Sequence, residues 1–164
     1  MTTSRPGTLA LFLAIILWGT LLGGIAYSHL VYFPVYLSAL PASAVVVNGT
    51  YGLEESVFWK LIHPLLVAAL AAALALNWRA KRRRKLVALT FAVYAVVLVV
   101  SALFFIPELV AFKHSPESGL SPAEWLARGR RWQHLSWVRG AVMYAAELPL
   151  LAALAGREGA GAKT

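Results

Sequence analysis

Four long apolar runs separated by short polar interruptions set the pattern of this chain. The first extends from Thr8 to Leu37 without one Asp, Glu, Lys or Arg. A membrane crossing takes about 20 residues, which predicts a span over residues 8–30 followed by an aromatic interfacial extension over 31–37. The second run is bracketed by Trp59 and Trp78, a spacing that matches the hydrocarbon thickness with an aromatic anchor at each end. The third covers 86–106, and Pro107-Glu108 is expected to end it. Before the fourth, over 132–155, Ser121-Pro122-Ala123-Glu124 reads as a capping box with proline at the first helical position. That motif predicts an extra short interfacial helix which can run on into the last span. Residues 41–55 read as a loop and 156–164 as a disordered tail. The fold class expected is all-α, a four-helix transmembrane bundle forming a single membrane domain.

Composition agrees with lipid as the solvent. Of the 164 residues, 60% are apolar and only 13% are charged, against about 25% charged in soluble domains. The formal charge of +8 does not point to nucleic acid, because no groove-reading motif accompanies it. Six of the fifteen basic residues lie within Arg79–Lys85, between two apolar runs, where they would meet anionic lipid headgroups. With the N-terminus inside, Arg5, this cluster, Arg157 and Lys163 place nine basic residues on the cytoplasmic side. Lys113, Arg128, Arg130 and Arg131 place four opposite. The positive-inside rule then expects both termini in the cytoplasm, in a bacterial inner membrane. The absence of cysteine excludes disulfides and thiolate chemistry.

This topology carries an ionisable group to the outer end of every span: His29, then Lys60 and His63, then Glu108, then His134 and Arg139. An outward-opening polar pocket between helices would collect them. Trp18, His29, Tyr32 and Tyr36 share one face of the first helix, either as an interhelical seam or as the wall of such a pocket. Gly19 and Gly23 form a small-xxx-small pair suited to close helix approach. Glu147 lies about 12 Å of helix rise deeper than Arg139, and intramembrane acids are often functional. On a regular helix His134 and Arg139 are about 140° apart, whereas Trp132 lies within about 20° of Arg139.

Gly23-Gly24, Ser28, Pro34 and Leu40-Pro41, together with Trp132, His134 and Arg139, resemble the motifs of a small four-helix membrane family. That family includes fungal anthrone oxygenases and many bacterial members without an assigned activity. Here Leu135-Ser136-Trp137-Val138 separate a histidine and an arginine that usually stand closer in the family. The resemblance implies cofactor-independent oxygenation of an anthrone-like aromatic. His134 or His63 would serve as base and Arg139 or Lys60 would stabilise the carbanion. His29, Trp18, Tyr32, Trp132 and Glu108 would contact the substrate. Two other classes stand beside it. One is a metal- or haem-binding bundle using His29, His63 and His134. The other is a non-catalytic accessory subunit or transport component, working as a homo-oligomer or within a larger membrane complex.

Overall fold

The computed structural model describes residues 4–156, and among these it is all-α. Four helices are long and apolar enough to cross a membrane: α1 (Arg5–Tyr36), α2 (Ser56–Leu76), α3 (Lys81–Lys113) and α4 (Pro122–Ala155). The chain is an integral membrane protein, as its pattern requires. Apart from Gly156, the expected tail lies outside the described residues, as do Arg157 and Lys163.

Several boundaries differ from expectation. The third helix does not stop at Pro107, the extension expected over 31–37 is helical to Tyr36, and both helices continue through a single π turn. In α1 the turn is Ser28–Tyr32, where the Phe33 N–H bonds the Ser28 carbonyl. In α3 it is Ser101–Phe105, where the Ile106 N–H bonds the Ser101 carbonyl. Each turn precedes a proline by two residues, Pro34 and Pro107. Proline lacks an N–H, and its ring clashes with the carbonyl four residues back. The wider i→i−5 turn accommodates that defect without ending the helix.

The capping box forms as expected, with Glu124 Oε2 accepting from the Ser121 N–H at 2.8 Å and Ser121 Oγ accepting from the Glu124 N–H at 3.3 Å. From there α4 runs unbroken for 34 residues, so the short interfacial helix and the last span are one element. The 41–55 loop contains a 3₁₀ turn (Ala42–Ala44) and a helical turn (Val45–Asn48), after a cis Leu40–Pro41 bond. Gly19 and Gly23 do not mediate close packing. A Cβ added at either would meet nothing within 4 Å among the described residues.

The described residues pack as two compact units. One takes those up to Leu21, Phe58–Ala95 and those from Met143 onward; the other takes Leu22–Val57 and Val96–Val142. In the first unit, Trp18 is fully buried and its indole N–H donates to the Met143 carbonyl at 3.2 Å. The Thr90 hydroxyl donates to the Ala146 carbonyl at 2.9 Å. Arg83, expected among the headgroup-facing cations, is instead buried. Its guanidinium donates to the Ala153 carbonyl (3.1 Å), Thr8 Oγ1 (3.0 Å) and Asn77 Oδ1 (3.4 Å). Asn77 in turn donates to the Gly7 and Ala73 carbonyls, both at 2.8 Å. Gly7 permits this approach, since a Cβ there would lie 2.9 Å from Asn77 Oδ1.

The second unit has an aromatic core in which Tyr32, Phe33, Tyr36, Phe105, Phe112, Trp125 and Trp132 pack together. Phe33, Phe105 and Phe112 meet the Trp132 ring edge-on, an arrangement the ring quadrupoles favour. The Trp132 N–H donates to the Phe105 carbonyl at 3.1 Å, fixing α4 against the π turn of α3.

Candidate functional site

Beside this aromatic core, the second unit holds a chain of polar side chains from three helices. His29 lies inside the α1 π turn and is almost fully buried. Its Nδ1 is 2.8 Å from the Ile25 carbonyl, and its Nε2 is 2.9 Å from Ser136 Oγ. A carbonyl can only accept, so Nδ1 carries the proton. Nε2 of the neutral ring is then the basic nitrogen, accepting from the Ser136 hydroxyl. Ser136 is completely buried and itself accepts from Arg139 Nη2 at 3.0 Å. Arg139 Nη1 donates to Ser101 Oγ, also at 3.0 Å. The order is Ser101, Arg139, Ser136, His29, and it joins the two π turns through one stretch of α4.

Packing holds these groups in place. Trp137 lies 4.7 Å from the His29 ring and Phe33 meets the imidazole edge-on at 5.5 Å. The guanidinium carbon of Arg139 stands 4.0 Å from the Phe105 ring centroid, a cation–π contact covering one face. Gly140 brings α4 close to Ile25, and a Cβ added there would stand 3.4 Å from Ile25 Cγ2. Next to His29, the Ser28 hydroxyl donates to Glu55 Oε1 at 2.8 Å. Arg139 makes no ion pair among the described residues.

Of the expected site residues, the structure brings His29 and Arg139 into this chain, with Tyr32 and Trp132 in the adjoining core. His134 is exposed, on a different face of α4 from Ser136 and Arg139. The wide angular separation expected between His134 and Arg139 is therefore realised. Glu108 accepts both Nε and Nη2 of Arg128 at 2.8 Å, a bidentate pair that occupies its carboxylate. His63, Lys60 and Trp18 belong to the other unit. There His63 Nδ1 and the Tyr94 hydroxyl share a 2.6 Å hydrogen bond, Tyr94 packs on Trp18 at 5.3 Å, and Trp59 stacks on His63. Lys60 is exposed, and Glu147, half-buried, makes no hydrogen bond or ion pair among the described residues.

Sequence reasoning missed Ser136, Ser101 and Glu55. A signal for Ser101 is present: Ser28-His29-Leu30-Val31-Tyr32-Phe33-Pro34 and Ser101-Ala102-Leu103-Phe104-Phe105-Ile106-Pro107 share the spacing serine, leucine, aromatic, proline. Each copy is a π turn that starts on its serine. No cluster of three or more His, Asp or Glu side chains among the described residues could hold a metal. No family model fits the chain, and no curated protein or solved structure is significantly similar to it.

Proposed function

We propose that this integral membrane protein is an oxygenase of the anthrone type, with the Ser101–Arg139–Ser136–His29 chain as its site and dioxygen as oxidant. The observation that carries this reading is a membrane-span guanidinium, with no carboxylate partner among the described residues, joined through one serine to a histidine whose Nε2 accepts from that serine. In this reading substrate binding uncovers the buried Ser136 hydroxyl, which takes a proton from the acidic CH₂ of the substrate as it passes its own to His29 Nε2. Arg139 stabilises the resulting enolate. The carbanion adds dioxygen, and the peroxide formed collects the proton from His29. Loss of the remaining C–H proton and cleavage of the O–O bond then leave the quinone carbonyl and one water.

The test is oxygen uptake and quinone absorbance with an anthrone and purified protein, in the presence of a chelator. Arg139→Gln and His29→Gln should each lower turnover at least a hundredfold, while His134→Ala stays near wild type. Unchanged turnover in the first two variants defeats the assignment. A second reading, a non-catalytic membrane subunit, draws on the complete burial of Ser136, which suits a hydrogen-bonded lock between helices. Absence of wild-type turnover, with both variants losing folded protein, favours that reading.

The basic residues also orient the chain: both termini cytoplasmic in a bacterial inner membrane, with Arg79, Lys81, Arg82, Arg84 and Lys85 toward anionic headgroups. Reporter fusions after Thr164 should be active in the cytoplasm, and those near Pro116 outside it. The opposite pattern reverses the topology.

A further inference from the structure

We infer that the free edge of Arg139 is a binding site for an oxyanion carried on an apolar body, such as an alkyl phosphate or a long-chain carboxylate. The inference rests on the polar chain being a ligand site, as the oxygenase reading requires, but it does not need turnover.

A guanidinium offers five N–H groups. Arg139 spends one on Ser101 and one on Ser136. The other three have no acceptor among the described residues. Both acceptors are neutral hydroxyls, and the histidine beyond Ser136 is held as an acceptor by the Ile25 carbonyl, so nothing in the chain offsets the positive charge. A charge in a membrane span is costly and ordinarily faces a counter-charge or a wet cavity.

Phe105 covers one face of the guanidinium at 4.0 Å. The hydroxyls take one N–H from each terminal nitrogen, which leaves Nε–H among the open donors. An anion therefore meets Arg139 at its edge, in the plane, where two parallel N–H groups match a carboxylate or phosphate. Arg139 is half-buried, and its exposed part is assigned to that edge. A ligand reaching it within a membrane span needs an apolar body, which selects amphiphiles over aqueous anions.

The experiment titrates dodecyl phosphate into the full-length protein in a non-ionic detergent, read by thermal shift and tryptophan fluorescence. Saturable binding is expected for wild type and, within twofold, for Arg84→Gln, which removes a cation from the basic turn instead. Arg139→Gln should weaken binding at least tenfold. Arg139→Lys, which keeps the charge but loses the fork, should weaken it severalfold. Dodecyltrimethylammonium should not saturate, and inorganic phosphate should bind at least tenfold more weakly. Binding by Arg139→Gln at wild-type affinity overturns the site. Equal affinity for the ammonium surfactant, or for free phosphate, overturns the oxyanion amphiphile. If Arg139→Gln does not fold, the lysine variant and the ligand series on wild type still decide. Saturable binding without oxygen uptake keeps this site and removes the oxygenase.

Discussion

Arg83 and Arg139 are both arginines within membrane-length helices, and neither pairs with a carboxylate among the described residues, yet their surroundings differ in kind. Arg83 is buried and donates to three acceptors, one of them the Ala153 carbonyl. That carbonyl belongs to the last turn of α4, where backbone acceptors lack intrahelical partners and the helix dipole is negative. Arg83 thus donates into the C-terminal turn of α4. Arg139 sits in mid-helix, with two serine hydroxyls and a phenyl face. Neither of its two acceptors is a helix-end carbonyl. The fold takes three of the five N–H groups of Arg83 and buries the residue, but takes only two of those of Arg139 and leaves it half-exposed.

The largest expected effect follows from that contrast. Arg83→Leu removes the donors to Ala153, Thr8 and Asn77 together. Leaving a buried acceptor unmade costs about 1–3 kcal/mol, so a loss of about 3 kcal/mol is expected in reversible unfolding in mixed detergent micelles. Arg139→Gln retains an amide that can still donate to a serine, and it relieves an unbalanced charge. Its cost in the same assay should stay within about 1 kcal/mol. If Arg139→Gln proves as costly as Arg83→Leu, both arginines are structural and the contrast fails.

Much of this architecture is legible in the sequence because lipid allows so few solutions. Apolar runs of membrane length must be helices, and the Ser121–Glu124 box announces the start of α4 through local chemistry alone. The helix end at Pro107 was misplaced for a physical reason. Proline usually marks a boundary, but a preceding π turn removes the clash that makes it one. Gly19 and Gly23 show the limit of motif spacing, since a small pair permits close approach without saying which face meets a neighbour. At the site, His29 and Arg139 stood out as ionisable groups in apolar runs. Ser136 and Ser101 did not, because serine is common in spans and only tertiary placement makes one a relay.

The smallest effect tests whether the prolines make those turns or merely permit them. Pro107→Ala restores an N–H that could close an ordinary α turn over 101–107. Doing so would remove the extra residue of the π turn and rotate the preceding segment by about 100° relative to the following one. That rotation is opposed on both sides. Ser101 is held by Arg139, while Phe105 is held by the Trp132 ring and by the indole N–H on its carbonyl. Breaking these contacts costs more than the single backbone bond returns, since one such bond is worth about 1 kcal/mol net. Pro107→Ala should therefore shift stability by less than about 1 kcal/mol and leave dodecyl phosphate affinity within twofold. A tenfold loss of affinity with unchanged stability would show that α3 had straightened and carried Ser101 away from Arg139. In that case the proline, rather than the tertiary contacts, holds the site open.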